Sequence, residues 1–232
     1  MNAASLPIGF TSLQQEFRQE LIAIADWWAK YAVDQELGGF YGEIDVNNQP
    51  VKNASKGIIL NARILWFFSE AAQEVDNPVY RTCATRAYDY LTAHFFDEKH
   101  GGVYWELDAT ATPINTKKQV YAQAFTIYAL CAYFQLTGNA QALAQALELF
   151  KLVEQHAIDR EREGYLEAFT REWGVIEDLR LSDKDLNYPK SQNTHLHILE
   201  AYTTLHHAQP TPEVSAALKY NIQMFDKYMI DR

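Results

Sequence analysis

Cysteine is scarce in this 232-residue chain: there are two, Cys83 and Cys131, both in apolar, helix-like surroundings. That excludes a disulfide framework and points to a reduced, cytoplasmic setting. Long apolar runs are missing as well. No stretch approaches the roughly 18 consecutive apolar residues of a membrane span. The opening MNAASLPIGFTSLQQEF has no basic start and no long apolar run, so neither a secretory signal nor a membrane partner is expected. Positive charge is sparse and scattered: 20 Lys and Arg stand against 30 Asp and Glu, a formal net charge of −10. Phosphate-backbone binding relies on dense positive charge, so nucleic acid is not an expected partner.

What the chain does have is ordinary globular material, 48 % apolar and 22 % charged, in a length that can bury a substantial core. Its 14 Tyr, 12 Phe and 5 Trp serve equally well for packing and for stacking on sugar rings, and composition alone does not separate those uses. Internal repetition is more informative. Three segments resemble one another: LGGFYGEID (37–45), HGGVYWELD (100–108) and REGYLEAFT (162–170). Gly39 and Gly102 lie 63 residues apart, Gly102 and Gly164 62 apart. Each segment reads as a glycine turn leading into a short strand or β-hairpin.

Between these segments the apolar period changes to that of a helix. Helices are expected over 13–33, 55–74, 79–96, 117–136, 140–157, 191–207 and 212–229. Asn77-Pro78, Thr137-Gly138-Asn139 and Thr211-Pro212 supply matching start and stop signals. The order is helix, glycine loop, helix, three times over, then one more helix. That describes an all-α array of helical hairpins with short β-hairpin loops, and part of an α/α toroid is expected. A tetratricopeptide array has a period of about 34 residues and does not fit. Residues 1–232 read as one domain, left incomplete: Tyr228–Arg232 parallels His156–Arg160, which precedes the third glycine loop, so a fourth loop is expected to follow.

The segment SDKDLNYPKSQNTHLHILEAYTTL (182–205) resembles the cellobiose 2-epimerases of the N-acylglucosamine 2-epimerase superfamily. GGFYGEID (38–45), KGIILNARILWFFSEA (56–71), HGGVYWELD (100–108) and KKQVYAQAFTIYAL (117–130) follow in the family's order and spacing. The resemblance implies an (α/α)6 barrel, of which this chain carries about the N-terminal half. It implies reversible epimerisation at C2 of a reducing-end glucose, by ring opening and a cis-enediol, with two histidines moving the protons. It implies a disaccharide or monosaccharide ligand and neither metal nor organic cofactor. Imidazole, with an ordinary pKa near 6.5, suits such proton traffic.

Asn193 and His197 are four apart on an expected helix and share a face, with Glu200 beside His197. His195 points roughly 200° away, so the HxH pair is a poor zinc site. From the residues alone, both histidines read equally as core groups satisfied by hydrogen bonds. The resemblance aligns Asn193 and His197 with substrate contacts and leaves His195 structural. Arg63, inside the apolar run ILNARILWFF, reads either as a buried or snorkelling ion or as a donor to a sugar oxygen; the resemblance favours the donor. Tyr121 aligns with a cleft tyrosine, although helical tyrosines are usually core. Trp28, Trp66, Trp105 and Tyr188 are expected to pack, and Lys184, Asp185 and Lys190 to order the loop before the helix at 191.

No catalytic residue is assigned. The family's HDIE-type motif is absent, His206 and His207 end a helix in another context, and the proton-transferring pair is expected beyond residue 232. Two other readings stand beside the epimerase. One is a glycoside hydrolase, which needs two facing carboxylates that no motif marks here. The other is a non-catalytic helical module that binds a partner or glycan. In either a module or a fragment, the stripe Leu218, Ile222, Phe225 and Met229 on the last helix is expected to seek a C-terminal half or a second copy.

Overall fold

The computed structural model describes residues 8–230. Among them are seven helices: α1 (Ile8–Tyr31), α2 (Ile58–Glu74), α3 (Pro78–His94), α4 (Val120–Thr137), α5 (Ala140–His156), α6 (Gln192–Ala208) and α7 (Pro212–Tyr228). Their ends follow side-chain chemistry. Asn77, Asn139, Ser191 and Thr211 each accept a hydrogen bond from a first-turn backbone N–H, so α3, α5, α6 and α7 begin on capped donors. Gly138 ends α4 in the left-handed region at φ 72°, where other side chains would be strained.

Helices α2, α4 and α6 stand side by side as an inner row, with α3, α5 and α7 packed outside. The middle helix α4 has neighbours on both flanks and behind. It is accordingly apolar almost all round, burying Val120, Ala124, Ile127, Leu130 and Cys131. The architecture is all-α and of the (α/α)6-barrel type. A full ring of that type has six inner helices, and the described residues supply three.

Strand structure is confined to five short pieces, β1 (Lys56–Gly57), β2 (Glu106–Leu107), β3 (Pro113–Asn115), β4 (Lys118–Gln119) and β5 (Ala168–Phe169). β1–β2–β3 and β4–β5 pair antiparallel. These pairings explain why α2 and α4 start three residues later than periodicity suggests: the residues before them are drawn out straight by a neighbouring loop.

The sequence repeat has a physical basis. Each glycine loop is closed by one antiparallel bridge, Val33 to Phe40, Phe96 to Val103 and Ile158 to Tyr165. An aspartate opens each loop and accepts two loop N–H groups: Asp34 from Glu36 and Leu37, Asp97 from Lys99 and His100, Asp159 from Glu161 and Arg162. A lysine just before each inner helix then latches that aspartate, Lys56 at 2.9 Å, Lys118 at 3.0 Å and Lys190 at 2.6 Å. The first two pairs are fully buried, where an ion pair persists only when its remaining donors and acceptors are used. At Asp97, Arg171 adds Nε and Nη2 at 2.8 and 3.0 Å. Burial alone would raise the Asp97 pKa, but Arg171 and Lys118 hold it far below the usual carboxylate range.

The apolar stripe expected on α7 is narrower than its sequence suggests. Val214, Ala217 and Met224 turn inward with the buried Asn221, and Leu218, Phe225 and Met229 are half-buried; Ile222 alone of the four named positions is exposed. Further exposed apolar side chains lie at the opposite edge, on α1: Leu13, Phe17 and Ile24.

Candidate functional site

The latch lysines set a common register for the three inner helices. Seven residues beyond Lys56, Lys118 and Lys190 stand Arg63, Phe125 and His197; ten beyond stand Trp66, Tyr128 and Glu200. These are two successive turns on one helical face. All six line one cavity of about 490 Å³, together with Trp28, Leu60, Ile64 and Phe67.

Its polar end is assembled from all three inner helices. The Arg63 guanidinium lies over the Phe125 ring at 4.7 Å, a cation–π contact that aims an otherwise exposed side chain. Its Nη2 makes a long 3.5 Å contact with the Tyr121 hydroxyl. The His197 ring meets Tyr121 edge-on at 4.7 Å and Phe125 at 4.4 Å, and its Nδ1 lies 2.6 Å from Glu200 Oε2. Burial pushes the Tyr121 hydroxyl pKa up, Glu200 adds to the rise, and Arg63 opposes it. Tyr121 therefore stays a neutral donor and acceptor across the physiological range. On the wall, Trp66 stacks on Tyr128 at 5.5 Å, offering flat aromatic surface beside these polar groups.

Arg63, Tyr121 and His197 thus come together. Asn193 does not join them: it lies one turn nearer the start of α6, exposed, and lines a neighbouring cavity of about 410 Å³ with Glu167, Arg180, Asp185 and Lys190. The loop over that cavity is tied down from β4 and the residue before it, where Gln119 and Lys117 donate to the Arg180 carbonyl. Asp185 closes a turn on Ser182, and Lys190 latches Asp159; Lys184 is exposed. His195 is a framework group. Its Nε2 accepts from the Tyr165 backbone N–H at 2.9 Å, which leaves Nδ1–H to donate to the Ser191 carbonyl at 2.7 Å. Burial lowers its pKa, keeping the ring neutral.

Four contributors escaped the sequence reading or were undervalued in it: Phe125, Trp66, Tyr128 and Glu200. The signal was present, because aligning the repeats on their lysines puts Phe125 at the register of Arg63 and His197 and gathers Trp66, Tyr128 and Glu200 at a second one, three residues on. Trp105 is half-buried with Lys117 over its ring at 5.3 Å, and Tyr188 is exposed. Among the described residues no group of three or more His, Cys, Asp or Glu is placed to hold a metal, and no helix is long and apolar enough to cross a membrane.

Comparison with known proteins identifies the family. The family model for N-acylglucosamine 2-epimerase (GlcNAc 2-epimerase) matches residues 39–220. A cellobiose 2-epimerase of Bacteroides fragilis is 44 % identical over 221 residues, 95 % of this chain and 56 % of the relative. One from Ruminococcus albus is 39 % identical over 213 residues, 91 % of this chain and 54 % of the relative. The structure of cellobiose 2-epimerase from Spirochaeta thermophila superposes with a TM-score of 0.86 at 37 % identity, covering 96 % of this chain and 56 % of that one. The chain spans about half the length of the curated relatives it matches. With a family model over residues 39–220 and two such relatives, the chain belongs to the N-acylglucosamine 2-epimerase family.

Proposed function

We propose that this chain builds part of the sugar cleft of an isomerase, one that epimerises C2 of the reducing-end glucose in a β-1,4-linked disaccharide such as cellobiose. The observation that carries the reading is the meeting of Arg63 and His197 at one aromatic-walled cavity, with Tyr121 of the helix between them touching both. Arg63 donates to sugar oxygens and offsets negative charge on an enediolate oxygen, the interaction that gains most as the ring-opened sugar loses its C2 proton. Tyr121 and His197 hold hydroxyls in register, and Asn193 meets the ligand from the neighbouring cavity. No metal or organic cofactor enters this chemistry. The two proton-transferring histidines lie, on this reading, outside residues 1–232. Residues 1–232 form one domain, the N-terminal part of the family ring, which works with a C-terminal segment or with a second copy docked along the α6–α7 edge. A reduced, cytoplasmic setting fits Cys83 and Cys131, both free and buried, with burial pushing their pKa values up to about 11 and about 12.

The test is incubation with cellobiose in D2O, following C2 deuteration by NMR. The chain alone is expected to bind cellobiose without exchanging the C2 proton, and exchange is expected once the C-terminal segment of a full-length relative is added. No cellobiose binding by the folded chain, alone or reconstituted, overturns the reading.

A further inference from the structure

Histidines 195 and 197 sit two apart on α6 and make contrasting use of the same ring. In His195 both nitrogens are consumed by the protein, Nδ1 by the Ser191 carbonyl and Nε2 by the Tyr165 N–H. In His197, Nδ1 faces Glu200 Oε2 at 2.6 Å, and Nε2 has no hydrogen-bond partner among the described residues while the ring lines the cavity. We propose that Glu200 is a positioning residue that holds His197 in its Nδ1–H tautomer and so presents Nε2 to the cavity as a hydrogen-bond acceptor.

A carboxylate only accepts, so the nitrogen beside it must carry the proton, and the far nitrogen of a neutral ring is then left with its lone pair. The groups packed around His197 do not compete for that assignment. From α4 come the Tyr121 edge and the Phe125 face, which fix the ring plane. From α2 comes Arg63, held over Phe125 and against the Tyr121 hydroxyl. The cavity thereby offers a group that only donates, Arg63, and a group that only accepts, His197 Nε2. A sugar hydroxyl meets both demands, accepting from Arg63 and donating to Nε2. The purpose assigned to Glu200 rests on the sugar-cleft reading above; the tautomer itself is measured without any sugar.

The experiment uses the chain labelled with ¹⁵N-histidine and long-range ¹H–¹⁵N correlation at about pH 8.5, above the ordinary imidazole range. Glu200→Gln retains a carbonyl acceptor and Glu200→Leu removes it. His197 is expected as Nδ1–H in the parent and in Glu200→Gln, and to move to the Nε2–H form in Glu200→Leu. His195 is expected to stay Nδ1–H in all three, an internal control for an intact fold. Cellobiose affinity is expected to fall about tenfold in Glu200→Leu, the worth of one hydrogen bond, and less than about threefold in Glu200→Gln. Nε2–H in the parent, or an unchanged Nδ1–H in Glu200→Leu, overturns the proposal. A tautomer that switches as described in a protein that never binds cellobiose supports the role of Glu200 and counts against the sugar reading alone.

Discussion

At Gly39 the backbone lies at φ 62° with the Tyr90 ring pressed against it, so a Cβ would stand 2.5 to 2.8 Å from three ring carbons. Gly39→Ala is expected to destabilise the chain by about 2 kcal/mol, since strain in the left-handed region adds to a clash that the buried Tyr90 ring cannot relieve. Urea unfolding measures it, and a loss below about 0.5 kcal/mol, the usual scatter of surface substitutions, contradicts it. The cleft residues should behave oppositely. Arg63→Ala and His197→Ala are each expected to weaken cellobiose binding by about tenfold or more, with the unfolding midpoint nearly unchanged, because Arg63 is exposed and His197 sits at a cavity wall. Calorimetry with the two variants checks this. A large drop in stability with unaltered affinity would instead make these side chains packing residues.

Each loop latch is a cooperative unit of charge. Replacing Asp97 by Ala leaves Lys118 buried without its counter-ion and is expected to cost about 3–5 kcal/mol, whereas the pair Asp97→Leu with Lys118→Met should cost clearly less than the two single changes together. A double-mutant cycle measures the difference, and simple additivity refutes the coupling. Helices α3, α5 and α7 were legible in the sequence to within two residues, because their apolar spacing and capping signals depend on local chemistry, whereas α1 begins five residues before its expected start. What could not be read locally is what distant segments impose. The starts of α2 and α4 yield to β1 and β4, whose partners lie about 50 residues away. The outward stripe on α7 narrows because Asn221, a polar residue, turns inward and donates to the His195 carbonyl. Arg63, Tyr121 and His197 were found by resemblance, and the register that Arg63 and His197 share is one that only the repeat reveals. Asn193 shares a face with His197 as its spacing requires, yet one helical turn is enough to place it in a different cavity.

For the whole molecule, the aspartates govern behaviour in acid. The Asp159 pKa is held at about 2, chiefly by Lys190, and Asp34 and Asp97 also lie below the usual range. Unfolded aspartates titrate near 3.9, so on acidification the unfolded chain takes up protons before the folded one does. The latches' contribution is therefore complete above about pH 5 and is lost as pH falls toward about 2. Stability measured by urea unfolding should decline over that window, and the decline should be smaller in Asp159→Asn; an identical acid limb in that variant would remove Asp159 from the account. The latch register also has a consequence for how such a chain changes its ligand. Foldability is fixed at the lysine, while the side chain offered to the cavity sits seven residues further on, two helical turns away. Arginine, phenylalanine and histidine already occupy that one position in three copies of the same frame. A chain in which the exposed Arg63 becomes another polar side chain should accordingly unfold with undiminished cooperativity while meeting the cavity's ligand with different chemistry.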